Sequence, residues 1–377
     1  VSALRVALDA RALTGRYTGD RTYWLHLIRA LLTDPPADME FTLYSRLALP
    51  LDDLAGVPVR SRVIPTPNDR IWTLLSFPRA LAADRMDLAH TQYTTPLWSP
   101  CPLVTTVHDI SFRLHPQWFP WKHRVLMNLT VPSSMRRARA VITDSESSRQ
   151  DILRTYSLSP TKVIGIPLAP GPEYRPVPQD KAREWVKERV GVAAPFVLAV
   201  GVLQPRKNLA TLVEAFRLAC LEPGFGWHLV LVGKEGWAAA ELRDKVRASG
   251  LTERVHFTGY VRDEDLPVLY SAAGMFAHPA LYEGFGLPPV EAMACGTPVL
   301  VSDAPALPEV TGGAAVVLPA RDPRAWADTM VRLAQSPADR DSLVQAGFTR
   351  VRSLTWARTA ERTCQVYREA AQPRSRV

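Results

Sequence analysis

The chain has 377 residues, 47% of them hydrophobic, enough for two domains with their own cores, and no run approaches the roughly 20 apolar residues that span a bilayer. With 45 Lys and Arg against 37 Asp and Glu the formal charge is +8, which favours phosphate-bearing or membrane-surface partners; no nucleic-acid motif accompanies it, so nucleic acid is not an expected partner. The four cysteines, Cys101, Cys220, Cys295 and Cys364, are scattered with no C-x-x-C pair, which argues against structural zinc or a disulfide framework and favours reduced core thiols in a cytoplasmic setting.

The N-terminal string VSALRVALDA enters a strand at once rather than a leader, and its apolar run over 4–8 ends at Asp9. A loop, Thr14-Gly15-Arg16-Tyr17-Thr18-Gly19-Asp20, then leads to an amphipathic helix over 22–32. That loop sits at the carboxyl end of a strand, where open α/β sheets bind ligands. Further strands are expected over 41–44, 59–64, 87–90, 103–107, 140–143 and 163–166, with helices over 70–83 and 147–156. Such alternation implies a parallel sheet covered on both faces.

Two strand ends in this half carry polar clusters. Thr106-Val107-His108-Asp109 places a histidine and a carboxylate where a strand stops; in isolation, a histidine there is more often structural. Thr143-Asp144-Ser145-Glu146-Ser147-Ser148-Arg149 has the composition of a helix cap, and capping is its expected role. Between them, HPQWFPWKHRVLMNLTVPSSMRRARA mixes aromatic and basic residues, as an interfacial segment on an anionic membrane does. Pro132 is expected to interrupt it, and arginine-rich helix faces ordinarily just stay wet.

Residues 167–179, PLAPGPEYRPVPQ, are proline-dense without periodicity and read as a linker. A charged helix over 181–190 and a strand over 196–200 begin a second α/β domain, with strands over 228–232, 255–258, 275–278, 298–302 and 315–318. Its first turn, Gly201-Val202-Leu203-Gln204-Pro205-Arg206-Lys207-Asn208, ends at a helix N-terminus. Arg206 as a fork and Lys207 as a point charge suit a pyrophosphate, although a solvated Arg-Lys turn is the ordinary alternative. Asp263-Glu264-Asp265 has the spacing of a D-x-D metal motif but opens a helix over 266–273, where acids favour the dipole; capping is expected, and no metal site.

The densest signal is GMFAHPALYEGFGLPPVEAMACGTPVLVSD over 274–303. A strand runs into the turn Glu283-Gly284-Phe285-Gly286, and a helix starts near Leu287 with Pro288 and Pro289 in its first turn and Gly296 closing it. Backbone N–H groups gathered at a helix N-terminus make an anion seat suited to phosphate. Glu283 and Glu291 flank that seat and should face neutral hydroxyls, since carboxylates repel phosphate. Phosphate plus hydroxyls describes a nucleotide sugar.

The string EGFGLPPVE followed by AMACGTPVLVSD resembles the E-x7-E signature of glycosyltransferase family 4, the retaining nucleotide-sugar transferases of GT-B architecture. The resemblance covers nearly the whole chain. It implies an α/β fold of two Rossmann-like, doubly wound parallel-sheet domains facing a cleft that closes over substrate. The N-terminal domain (1–170) would bind acceptor and the C-terminal domain (171–354) donor, with a terminal helix (355–377) crossing back. It further implies hexose transfer from a nucleoside-diphosphate sugar, of GDP-mannose or UDP-glucose type, to a carbohydrate or lipid-linked acceptor hydroxyl in polysaccharide or glycolipid synthesis. No cofactor or metal is expected, and membrane contact, at the inner face, would be peripheral. In this reading Arg206, Lys207 and the N–H groups of Gly286 and Leu287 take the leaving pyrophosphate. Glu291 holds ribose hydroxyls. Glu283, His108 and the amides of Gly284 and Phe285 fix the sugar, with Asp109 orienting the His108 ring or capping the next turn. Tyr260 and Val261 lie where the family holds the nucleobase, and Gly201 where it turns toward phosphate. The family often carries Gly-Ile-Gly-Arg-Tyr in its first loop; here Arg21 replaces the second glycine, leaving Gly19 as the closest contact and Arg21 as an acceptor or phosphate ligand. Where the family often has arginine after the later glycine this chain has Val202, which shifts that load to Arg206. A front-face route is implied, with the departing phosphate as base. The alternatives are an inverting transferase using His108 as general base, a sugar-nucleotide epimerase, and a non-catalytic nucleotide-sugar-binding subunit.

Overall fold

A computed structural model describes residues 3–15, 19–236 and 239–373. The chain divides into two units, Val1–Leu168 with Trp356–Val377, and Ala169–Thr355.

The first unit is built on seven strands, β1 (Leu4–Asp9), β2 (Met39–Ser45), β3 (Ser61–Val63), β4 (Leu88–Gln92), β5 (Leu103–Thr106), β6 (Ala140–Thr143) and β7 (Val163–Gly165). They pair in parallel in the order β3-β2-β1-β4-β5-β6-β7. Every residue of β5 and β6 is buried, as strands covered by helices on both faces must be. The final helix, Trp356–Ala371, packs into this unit: the Tyr367 hydroxyl lies 2.6 Å from Nδ1 of His90, and Arg368 grips Asp38 with two bonds.

Two expectations in this unit are corrected. The helix over 70–83 is not regular, because a π turn at Trp72–Ser76 separates Asp69–Ile71 from Phe77–Ala83. Pro78 has no N–H to continue an i→i−4 ladder, and the Phe77 N–H instead reaches back five residues to the Trp72 carbonyl. Conversely, Pro132 does not interrupt its segment: one helix runs Trp121–Arg137. Val131 and Met135, fully buried on either side of the proline, hold the helix to the core and outweigh one missing hydrogen bond.

The second unit carries β8 (Phe196–Val200), β9 (His228–Val232), β10 (Val255–Gly259), β11 (Met275–His278), β12 (Val299–Ser302) and β13 (Val316–Leu318). The parallel order is β10-β9-β8-β11-β12-β13. Side chains alternate along β8: Val197 and Ala199 enter one core, Phe196 and Leu198 the other. In each sheet the strand order reverses once, at β1/β4 and at β8/β11. In open parallel sheets ligand chemistry concentrates at the carboxyl ends of the strands that flank such a reversal.

Candidate functional site

In the second unit, the loops leaving β8 and β11 meet. After β8 the chain turns at Gly201, whose φ of +150° favours glycine; a Cβ there would also stand 3.2 Å from Cε of Lys207 and push that side chain aside. Pro205–Lys207 forms one 3-10 turn ending at Asn208 in the left-handed region. The Asn208 side chain donates to the carbonyls of Pro279 (3.0 Å) and Ala320 (2.6 Å), and the Leu281 N–H donates to the Arg206 carbonyl at 2.8 Å. These bonds pin the Arg-Lys turn against the loop that follows β11.

The result is a tight ionic cluster. Lys207 donates from Nζ to Oε1 of Glu283 at 2.5 Å, Arg206 to Oε2 at 3.0 Å, and His278, the last residue of β11, lies 3.1 Å from Oε1 through Nε2. Glu283 is buried, and burial by itself would raise its pKa; the charges of Lys207 and Arg206 outweigh that and hold the carboxyl well below its usual range. His278 is pushed down, by burial first and then by Lys207.

The helix Leu287–Ala294 follows, with Gly286 as its N-cap at φ +95°. A Cβ on Gly286 would fall 2.7 Å from Cδ2 of Leu307, so the turn is fixed by both backbone angle and packing. Pro288 and Pro289 carry no N–H, so the donors of this helix start are those of Leu287 and the preceding turn through Gly284, Phe285 and Gly286. Glu291 sits one turn further on, buried, accepting from the hydroxyls of Tyr270 (2.9 Å) and Tyr174. Burial, with the charges of Glu173 and Asp263, raises its carboxyl to about 7 despite those two bonds.

Tyr260 and Val261 leave β10 further along the sheet. Lys234, following β9, lies over the exposed Tyr260 ring with Nζ 4.6 Å from its centroid. Tyr260 and Val261 line an open depression of about 690 Å³ beside edge strand β10; Arg206, Lys207, Glu283 and Glu291 do not line it. Asp263–Asp265 forms the short turn expected of a helix entry, where Arg262 pairs with Glu264 and Asp265.

In the first unit the chemistry lies at the carboxyl ends of β4, β5 and β6. Parallel pairing sets Thr106 opposite Ile142, and continuing that register brings His108 level with Asp144. Nδ1 of His108 lies 2.7 Å from Oδ2 of Asp144, and Nε2 lies 2.5 Å from the Gln92 side-chain amide and 3.8 Å from Oδ1 of Asp20. Burial acts to lower the His108 pKa, but Asp144 foremost, then Asp20 and Asp109, raise it to about 9. Behind it runs a buried chain: Tyr23 Oη to Thr106 Oγ1 (2.9 Å), Thr106 Oγ1 to Nε2 of His90 (2.8 Å), and Nδ1 of His90 to Tyr367. Burial holds His90 neutral, down to about 3.

Two expectations are narrowed here and one is overturned. Asp109 does not orient His108: its carboxylate accepts from the N–H and hydroxyl of Ser111, so it caps the next turn, and Asp144 orients the ring. The serine-rich string divides its work, since Ser145 caps the helix Glu146–Tyr156 by accepting from the Ser148 N–H while its neighbour Asp144 faces His108. Arg21 is not placed as a ligand. It is buried in the helix Gly19–Thr33, pairs with Asp53 at 2.5 Å and donates to the Leu13 carbonyl. Gly19 opens that helix with nothing within 4 Å of where its Cβ would be. Arg16, Tyr17 and Thr18 of the same loop lie outside the described residues.

In the second unit the structure brings together Arg206, Lys207 and Glu283 and adds His278, Tyr174 and Tyr270; in the first it joins His108 to Gln92 and to Asp144, whose expected role was capping. Asp144 was within reach of sequence reasoning, as the residue one strand over from His108 at the same level. Tyr174 was not, because it sits in the aperiodic proline-rich stretch.

Comparison with known proteins points the same way. Residues 181–350 match the family described as Glycosyl transferases group 1, and residues 18–169 that described as Glycosyltransferase Family 4. The chain is 31% identical over 265 residues to the O-antigen chain mannosyltransferase B of Escherichia coli, covering 70% of each protein. It is 29% identical over 231 residues to the serotype-specific mannosyltransferase WbdA of the same organism, a match covering 60% of this chain and 28% of that protein. Among solved structures, a sucrose-phosphate synthase (tll1590) from Thermosynechococcus elongatus superposes with a TM-score of 0.73 at 25% identity, covering 97% of this chain and 98% of that one.

Proposed function

Because the chain belongs to glycosyltransferase family 4, and is a glycosyltransferase of GT-B fold, we propose that it transfers a hexose, mannose foremost, from a nucleoside diphosphate to a hydroxyl of a growing polysaccharide or glycolipid, with retention of configuration and without a metal ion. The observation that carries this reading is the cluster at the β8/β11 switch point: two cations fixed by a buried carboxylate beside a helix N-terminus.

In this reaction the bond between the anomeric carbon and the phosphate oxygen breaks and one to the acceptor oxygen forms. The acceptor's proton passes to the departing phosphate. Charge grows on the pyrophosphate, and Arg206 and Lys207 meet it, as a divalent cation does elsewhere. Glu283 is a poor nucleophile here, since both its oxygens are engaged, which favours a front-face route over a covalent intermediate. Glu291 would hold ribose hydroxyls, and Tyr260 with Lys234 would border the base.

The rival inverting route needs His108 as a base. A pKa near 9 leaves that ring protonated at neutral pH and opposes the role. A thermal-shift panel of GDP-mannose, UDP-glucose and their relatives tests donor binding, and proton NMR couplings of the product read the anomer. Nucleotide binding without turnover for any donor–acceptor pair would overturn catalysis in favour of a binding subunit.

The acceptor reading extends to an anionic membrane surface. No helix among the described residues is long and apolar enough to cross a bilayer. Yet the helix Trp121–Arg137 exposes Trp121, Val125, Leu126 and Leu129. The loop carrying exposed Leu97 and Trp98 is tied to that helix, where Ser134 accepts from the Thr95 N–H and Arg137 donates to the Pro96 carbonyl. Residues 110–143 hold Arg113, Lys122, Arg124, Arg136, Arg137 and Arg139 and no acid at all. Aromatic and leucine side chains beside unopposed cations suit anionic headgroups. Co-sedimentation with phosphatidylglycerol vesicles but not phosphatidylcholine vesicles, weakened in Trp98→Ala with Leu129→Ser, is the expected result.

A further inference from the structure

Asp144 is costly where it stands. It is buried, one carboxylate oxygen takes Nδ1 of His108 at 2.7 Å, and the other has no hydrogen-bond partner among the described residues. A buried carboxylate with half its acceptors unused opposes folding. Helix capping does not explain it, because Ser145 already performs that. The carboxylate's hydrogen bond goes to His108, which it meets from the neighbouring strand at the same level.

Building on the glycosyl-transfer reading, we propose that Asp144 is a positioning residue: it fixes the His108 imidazole through Nδ1 and aims Nε2 toward Gln92 and Asp20 as a hydrogen-bond donor for the transferred sugar. The ring's surroundings fit that purpose. Tyr23 meets it edge-on with centroids 4.8 Å apart, Tyr93 does so at 5.6 Å, and Thr143 ties its backbone by donating to the His108 carbonyl at 3.2 Å. The ring is therefore held on both sides and at both nitrogens.

The ionisable groups around His108 come from every neighbouring element: Asp20 and Tyr23 from the first helix, His90 from β4, Tyr93 beyond it, Asp109 from its own loop and Asp144 from the β6 end. Three carboxylates outnumber one neutral histidine, so the ring keeps its second proton into alkaline solution and acts as donor rather than base. This differs from a His–Asp pair built for proton abstraction, where the outer nitrogen must be bare.

The test uses the full chain labelled with 15N-histidine, His108 being assigned by its loss in His108→Gln. The wild-type ring should be protonated on both nitrogens at neutral pH and titrate near 9. Asp144→Asn should lower that midpoint by more than about one pH unit, and Asp109→Asn should move it far less. With GDP-mannose as donor, Asp144→Asn should lose at least about tenfold in kcat with KM little changed, move the alkaline limb of the pH profile downward, and regain part of both in Asp144→Glu. A wild-type His108 midpoint near the ordinary ~6.5, or an Asp144→Asn protein with unaltered midpoint and kcat, overturns the proposal. If Asp144→Asn does not fold, the wild-type titration decides by itself. A shifted midpoint without transfer to any acceptor would sink the transferase reading while leaving the pair's geometry intact, so the two failures are told apart.

Discussion

Lys207 holds Oε1 of Glu283 at 2.5 Å while its methylenes pass over Gly201, so one lysine ties the turn after β8 to the loop after β11. Two sequence-distant loops are thereby locked at the reversal of strand order. A Cβ at Gly201 would crowd Cε of Lys207 at 3.2 Å, so the glycine leaves the lysine room to reach across.

Lys207→Ala should therefore lower kcat at saturating donor by at least about tenfold, through lost stabilisation of the leaving diphosphate. Arg206 and His278 still contact Glu283, so the variant should fold. Steady-state kinetics check this, and near-normal turnover would dismiss the phosphate role.

Glu291 supplies a pH dependence. Burial foremost raises its carboxyl from the ordinary 4.5 to about 7, so between those values the folded state binds a proton that the unfolded state has released. Stability contributed by this group is present below about 4.5 and is lost as pH climbs through 7. Glu291→Gln should flatten that slope in denaturant titrations run from pH 5 to 8. Only the ionised form accepts two ribose hydroxyls, so affinity for GDP or UDP should rise across the same interval, and weaken in Glu291→Ala. Calorimetric titration with pH-independent affinity in the wild type would rule out the ribose contact.

Chelation offers a direct check on the cationic pair. If Arg206 and Lys207 do the work of a divalent ion, EDTA should leave turnover unchanged. Activity lost to EDTA and restored by magnesium would overturn the metal-free account.

Arg21 separates structural from ligand roles. Its guanidinium is buried against Asp53 and the Leu13 carbonyl. Arg21→Met should cost about 2 kcal/mol of unfolding free energy and leave kcat of the folded enzyme within a few-fold. A stable Arg21→Met protein with turnover reduced tenfold or more would return this residue to the substrate site.

Strand and helix alternation, the linker and the glycine turn at 283–286 were legible because each is a local property: apolar runs, missing N–H groups and positive φ act within a few residues. Local rules also misled. Pro132 breaks helices in isolation, yet Val131 and Met135 bury firmly enough to carry the helix through it. Pro78 lies in no motif, yet it sets the π turn at Trp72–Ser76.

What the sequence determined by itself was the chemistry on offer: cations after one strand, carboxylates around a glycine turn, a histidine where another strand stops. Only the tertiary structure decided partners. Register between β5 and β6 gave His108 to Asp144 rather than to its neighbour Asp109, and the switch between β8 and β11 gave Lys207 to Glu283. Packing likewise brought Tyr174 out of the proline-rich stretch to Glu291, and turned Arg21 inward to Asp53. Side-chain partners are set by which backbones lie side by side, and pairing between strands joins residues that no local pattern relates.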